Sequence, residues 1–362
     1  MRIEVVDPFE HGLGLALGLV ELGHQVRYVD GGARSMPGEV ARMRRELVER
    51  VLGGRHDDAR GDAELTIVVG VFADQLASLQ HARRHGGVAA SQLCDLGELI
   101  EHGGPRSYPV QLQRAAELLE RCGAACVVDM SDAVGPREAL FEALPGVQLF
   151  ARERAVDEDS PWQPFPFLFN SVVLWLERMT ATADWLQSQR QRRWDWVFCG
   201  TVGSARYGAR RSAAIARIAQ QHPQLAGAVF GDIGFAQVLA VLQSARFGLD
   251  LPGVGDLCFR LHECLAVGTP LWRPFAGRVQ LPDGIAQLVF AQPDEAPDCS
   301  AEAVRAIAAE YYSPMAAARW LLERAGQKGR PSVFTDWSAD VCPIDSDNRV
   351  VAQSPCHGLL RK

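Results

Sequence analysis

Long hydrophobic runs are scarce in this chain of 362 residues, although 48% of it is apolar. The most apolar stretch, 165–176, is too short to span a bilayer and contains Asn170 and Ser171, so no membrane span is expected. Peripheral membrane contact and self-association stay open. An excess of positive charge is also missing. A net charge of −7 argues against nonspecific binding to nucleic acid, while leaving room for a local basic groove. The nine cysteines are odd in number and lack a secreted framework. Several sit in apolar runs, Cys126 beside Val127 and Val128, Cys199 beside Val197 and Phe198, which suits buried reduced thiols and a cytoplasmic location. Cys122-x-x-x-Cys126 has no matching second pair, so no zinc site is expected. Nothing at the Met1 end reads as a basic segment, long apolar stretch and cleavage signal.

What the chain does have is alternation. Arg2-Ile3-Glu4-Val5-Val6-Asp7 reads as a buried strand, an apolar-periodic helix follows over 13–22, and Gly23 stops it before a second strand at 24–30. The loop between them, Pro8 to Gly14, lacks Gly-x-Gly-x-x-Gly spacing and so is not a dinucleotide fingerprint. Further strands are expected at 65–70, 125–129 and 147–150, with helices at 37–52, 74–84, 109–122 and 136–143. Pro161, Pro164 and Pro166 mark a change of composition, followed by a helix at 170–191. A second alternating series then runs through strands at 194–200, 228–231 and 246–251 and helices at 209–221, 235–244 and 257–267. Two last helices, 300–311 and 313–326, precede a tail rich in Gly, Pro, Asp and Ser. Strands alternating with helices predict an α/β fold with two Rossmann-like domains. The expected divisions are 1–160, an interdomain segment at 161–193, a second domain at 194–328 and a tail at 329–362. The final helix is expected to return to the first domain.

Two segments of the second half carry residue types suited to phosphate chemistry. Arg260 and Glu263, three apart near the start of a short helix, share a face. A guanidinium there can hold phosphate oxygens in a fork, and a carboxylate one turn later can accept ribose hydroxyls. Gly268 and Pro270 end this helix. The alternative is a surface ion pair, but Leu261, Cys264, Leu265 and Val267 predict a packed helix in which an unliganded arginine is costly. The second segment is Cys199-Gly200-Thr201-Val202-Gly203, a strand entering a glycine-rich loop before Arg210 and Arg211. Gly200 and Gly203 allow a phosphate close to backbone donors at a helix start, and Arg210 or Arg211 can add charge. A plain turn with exposed arginines is the alternative here. Asp250 stands at a strand mouth, where it can orient Arg260 or contact a sugar, and Asp256 lies seven residues before Glu263.

Phe198-Cys199-Gly200, Arg210 or Arg211, and then Arg260, Glu263, Ala266, Gly268 and Pro270 together resemble the C-terminal domain of GT-B-type glycosyltransferases. The similarity is to the bacterial spore-maturation-like and exostosin-like enzymes, and it covers roughly 195–275. Leu22-Gly23-His24-Gln25-Val26 is similar to a Leu-Gly-His-x-Val found near the start of many such enzymes. The resemblance implies two domains facing each other across a cleft. It also implies metal-independent transfer of a sugar from a UDP- or other nucleotide-diphosphate donor to a hydroxyl acceptor. Glu263 would bind the donor ribose and Arg260 with Arg210 the diphosphate. The Glu-x7-Glu pattern of many retaining members is absent, so the stereochemical outcome is open. The acceptor is open as well, among glycan, lipid-linked sugar, protein, metabolite and modified base.

For an acceptor proton, Asp7, His11, Asp95, Asp129 and Asp132 fall at or just after strand ends of the first half. His11 and Asp129 are the candidates for catalytic base. Structural hydrogen bonding and, for Asp132, helix capping are the competing roles. Trp162, Phe165, Phe167 and Phe169 suit packing at a domain junction better than sugar stacking, and Trp194 and Trp196 alternate as sheet-face residues. Two other activities fit the same pattern: a sugar-nucleotide epimerase, and a noncatalytic subunit that binds or scaffolds a sugar nucleotide.

Overall fold

Runs of apolar and β-branched residues build a parallel sheet in each half of the chain. The computed structural model describes residues 1–7, 12–30, 46, 49, 63–70, 125–130, 147–152, 162–166, 192–202, 208–231, 233–252, 257, 259–325 and 337–338. The chain divides into two units. The first comprises Met1–Arg154, Asp159–Leu174 and Tyr312–Val333, and the second Ala155–Glu158, Trp175–Tyr311 and Phe334–Lys362.

In the first unit the strands are β1 (Arg2–Asp7), β2 (Gln25–Asp30), β3 (Leu65–Gly70), β4 (Ala125–Asp129), β5 (Gln148–Ala151) and β6 (Gln163–Pro164). They lie side by side in the order β2-β1-β3-β4-β5-β6, every neighbouring pair parallel. Every residue of β3 is buried, the pattern of a strand covered on both faces. Helix α1 (Leu13–Glu21) is buried from Leu13 to Leu19, and each of its four leucines there contributes about 1.5–3 kcal/mol by leaving water. It ends in a Schellman motif at Gly23, whose φ is 85°. There the His24 N–H donates to Leu19 O and the Gly23 N–H to Val20 O.

The second unit repeats this plan. Its main strands are β7 (Trp194–Cys199), β8 (Gly227–Phe230), β9 (Ala245–Leu249), β10 (Leu271–Trp272) and β12 (Val289–Phe290), in the order β12-β10-β9-β7-β8 and all parallel. Helices α2 (Gly208–Gln221), α3 (Phe235–Gln243) and α4 (Phe259–Val267) connect them. Trp196, Phe198, Ile218, Phe247, Leu249 and Trp272 form the core beneath α2. A short helix α5 (Asp283–Ala286) follows β11 (Leu281–Pro282), which pairs antiparallel with β13 (Trp337–Ser338). Counting only the strands of each sheet along the chain, the first runs second, first, third, fourth, fifth, sixth and the second runs second, first, third, fourth, fifth. The α/β class with two parallel, Rossmann-like sheets is therefore observed.

Helices α6 (Ala301–Tyr312) and α7 (Pro314–Arg324) are separated at Ser313. The Ser313 hydroxyl accepts from the Ala316 N–H, and Pro314 occupies the first helical position, a strong start signal. Helix α7 belongs to the first unit, where it packs on α1. The approach is so close that a β-carbon at Gly18 would stand 1.9 Å from Pro314 O. The Trp320 indole N–H donates to Pro164 O, anchoring α7 beside β6.

Trp162 and Phe165 are buried in the first unit, and Phe165 meets Phe150 edge-on, so these two aromatics serve packing. Phe167 and Phe169 lie outside the described residues. The helices expected at 74–84, 109–122, 136–143 and 170–191 also lie outside them, and of 37–52 only Glu46 and Glu49 are described, both helical. No helix among the described residues is long and apolar enough to cross a membrane.

Candidate functional site

In open parallel sheets the carboxyl ends of the strands at the point where strand order reverses are where ligands enter. In the second unit that point lies between β7 and β9. The chain leaves β7 at Gly200, whose N–H donates to Phe230 O. A β-carbon there would come 3.2 Å from the Phe198 ring and 3.5 Å from Arg260 Nη2, which places the guanidinium directly beside this glycine.

Arg260 is held by α4, and α4 is held by close packing on β9. A β-carbon at Gly248 would lie 2.1 Å from Cys264 Sγ, so glycine in the strand is what lets the helix settle. A Schellman motif at Gly268, φ 81°, closes α4, with the Thr269 N–H donating to Cys264 O and the Gly268 N–H to Leu265 O. Arg260 and Glu263 do pair, Nη1 donating to Oε2, but the pair is not a surface one. Their side chains are only 14% and 10% exposed. Burial pushes the Glu263 carboxyl above its ordinary range; the Arg260 charge and hydrogen bond pull it back in part, and Asp250 pushes it further up. Among the described residues Glu263 is the one hydrogen-bond partner of Arg260, and the Arg260 Nε is wholly buried without a partner.

Asp250, just past β9, is fully buried, and its partner is Arg273, just past β10. Arg273 donates through Nε and Nη2 to Asp250 Oδ2 at 2.9 and 2.6 Å. Backbone bonds from Asp250 N to Trp272 O and from Arg273 N to Phe290 O fix the two residues at this sheet edge. The field of Asp250 also reaches Arg260. Sequence reasoning missed Arg273; its one local signal is a lone cation between an apolar dipeptide, Leu271-Trp272, and Pro274.

The two arginines of α2 part ways. Arg210 is exposed. Arg211 turns inward over the Phe198 ring, 5.5 Å from its centroid, and donates from Nε to Pro252 O and from Nη1 to Thr201 O. It therefore ties the segment after β7 to the segment after β9. Gly203 and Asp256 lie outside the described residues. The edge thus brings together Gly200, Asp250, Arg260 and Glu263, adds Arg273, and has Arg211 as a clasp. Two thiols stand close by: burial pushes Cys199 up to about 11 and Cys264 well above its ordinary value, which keeps both protonated and unreactive.

The first unit's candidates are arranged differently. His11, Asp95 and Asp132 lie outside the described residues. Asp129 ends β4, fully buried, and its carbonyl accepts from the Arg152 N–H. Asp7 ends β1, also fully buried, and one oxygen, Oδ2, accepts from the Tyr28 hydroxyl and the Gly12 N–H, each at 2.6 Å. Among the described residues no group of three or more His, Cys, Asp or Glu is placed to hold a metal ion.

No protein-family model matches this chain, and no curated protein does. One solved structure with some likeness is described as a conserved domain protein from Vibrio cholerae O1 biovar El Tor strain N16961. It is 9% identical, with 75% of this chain and 73% of that chain covered, at a TM-score of 0.20. An overlap that slight assigns neither fold nor activity.

Proposed function

We propose that the protein is a glycosyltransferase that takes its sugar from a nucleotide-diphosphate donor held by the second unit. The observation that supports this most is the buried Arg260-Glu263 pair set against Gly200 at the carboxyl edge of a parallel sheet. A buried guanidinium with unspent donors costs stability unless an anion arrives to use them. A diphosphate is such an anion, and the ribose next to it offers hydroxyls to a carboxylate one turn along.

In this reading the two units are the two Rossmann-like domains of a GT-B-type enzyme, the first handling the acceptor. The acceptor oxygen attacks the anomeric carbon, the bond from that carbon to the diphosphate oxygen breaks, and its electron pair leaves with the nucleotide diphosphate. Arg260 stabilises the charge that develops there. The acceptor proton passes to a base, for which His11 and Asp129 are the candidates.

Incubation with a panel of nucleotide sugars tests the reaction. Slow release of free sugar and nucleoside diphosphate is expected for the accepted donor. Conversion of one nucleotide sugar to its epimer, or binding with no turnover of any donor, would replace this assignment. Arg260→Ala is expected to weaken nucleotide binding about 100-fold in calorimetry, the loss of a charge-assisted contact of about 3 kcal/mol.

A further inference from the structure

Arg273, buried, and Arg260, largely buried, use their guanidinium groups in different ways at this edge. A guanidinium offers a side edge, Nε with Nη2, whose two N–H bonds run parallel and match two oxygens of a carboxylate or phosphate. Arg273 spends that edge inside the protein, both nitrogens donating to Asp250 Oδ2. Arg260 does not. Its bond to Glu263 uses Nη1, on the other side of the group, and among the described residues the Nε–Nη2 edge has no partner. Nη2 faces Gly200, the one residue type that puts no side chain there.

Glu263 sits where it fixes that aim. It lies one turn along the same helix, is itself buried, and grips the far nitrogen, so the planar group cannot swing away from Gly200 without breaking a buried pair. We propose that Glu263 is a positioning residue, which holds Arg260 so that its unpaired Nε–Nη2 edge takes a single phosphoryl group in a two-point grip beside Gly200. The inference rests on reading this edge as a diphosphate site and not on sugar transfer. It departs from the ribose contact that the family resemblance implies for Glu263.

The probe is inorganic diphosphate, measured by calorimetry on the full chain, with thermal unfolding to establish that each variant folds. A carboxylate close to a bound anion repels it, so charge alone requires Glu263→Ala to raise affinity. Positioning requires the opposite: a loss of tenfold or more. Glu263→Gln keeps an oxygen for Nη1 and removes the repulsion, and its affinity should equal or exceed that of the wild type. Arg260→Lys keeps the charge, loses the parallel edge, and should fall at least tenfold. If Glu263→Ala does not fold, the contrast between Glu263→Gln and Arg260→Lys decides. No binding of diphosphate by the wild type, unchanged or raised affinity in Glu263→Ala, or equal losses in the Gln and Lys variants would each overturn the proposal. So would a Gln variant that keeps diphosphate affinity and loses uridine or other nucleoside affinity, because the carboxylate is then a ribose ligand. Retained diphosphate binding without turnover of any nucleotide sugar would remove the transferase reading and leave this one standing.

Discussion

The carboxyl edges of the two sheets make a natural pair, because the strands behind them follow the same order. At the first edge the carboxylate that ends β1, Asp7, is consumed by its own fold: the Tyr28 hydroxyl and the Gly12 N–H both donate to one of its oxygens. The second edge is mixed. Asp250 and Arg273 pair with each other, and Arg211 straps two segments together, but among the described residues the side edge of Arg260 has no partner. Shared topology therefore says where a ligand can enter, and how each edge spends its charged side chains is set residue by residue.

Stability experiments can break this comparison. The largest effect is expected for Asp250→Ala, which strands Arg273 as a buried charge and should cost about 3–5 kcal/mol in denaturant unfolding. Asp7→Asn keeps a side-chain oxygen for its donors and should cost clearly less; an equal cost would mean that the two edges are built alike. Next comes Gly18→Ala. In an isolated helix this change is favourable by about 1 kcal/mol, but here the new carbon meets the Pro314 carbonyl. A net loss of about 1–3 kcal/mol is expected, confined to the first unit, with diphosphate affinity in the second unit unchanged.

The smallest effect separates the buried pair of the second edge by its pH dependence. Glu263 has a carboxyl raised by burial, so as pH climbs above the ordinary carboxylate range the unfolded chain gives up its proton first. Wild-type stability relative to Glu263→Gln should therefore fall with rising pH, by at most about 1.4 kcal/mol per pH unit, and level off once pH passes the raised value in the fold. A difference that grows with pH instead would mean that Arg260 outweighs burial at this site.

Much of the architecture could be read locally, and the exceptions have a common cause. The strands Arg2–Asp7, Leu65–Gly70, Ala125–Asp129 and Trp194–Cys199 carry apolar runs long enough to announce buried parallel strands, and Gly23 and Gly268 announce helix ends because their backbone angles suit glycine. Gln163–Pro164, Leu271–Trp272 and Val289–Phe290 are two-residue strands, too short for any periodicity, and exist only because a neighbour pairs with them. The same division runs through the site. Arg260 and Glu263 were visible because they share one helix face. The Asp250-Arg273 pair depends on the register of β9 against β10, and the inward turn of Arg211 rather than Arg210 depends on the rotation of α2; neither leaves a mark in the local sequence.

The packing of α7 on α1 has a consequence for synthesis. A chain made from its amino terminus exposes the leucines of α1 early, while the helix that covers them is made only after all the strands of the second sheet. The second sheet, encoded without interruption between the two, can close first. The nascent first unit must meanwhile carry an uncovered apolar helix, a state in which a chaperone would protect it.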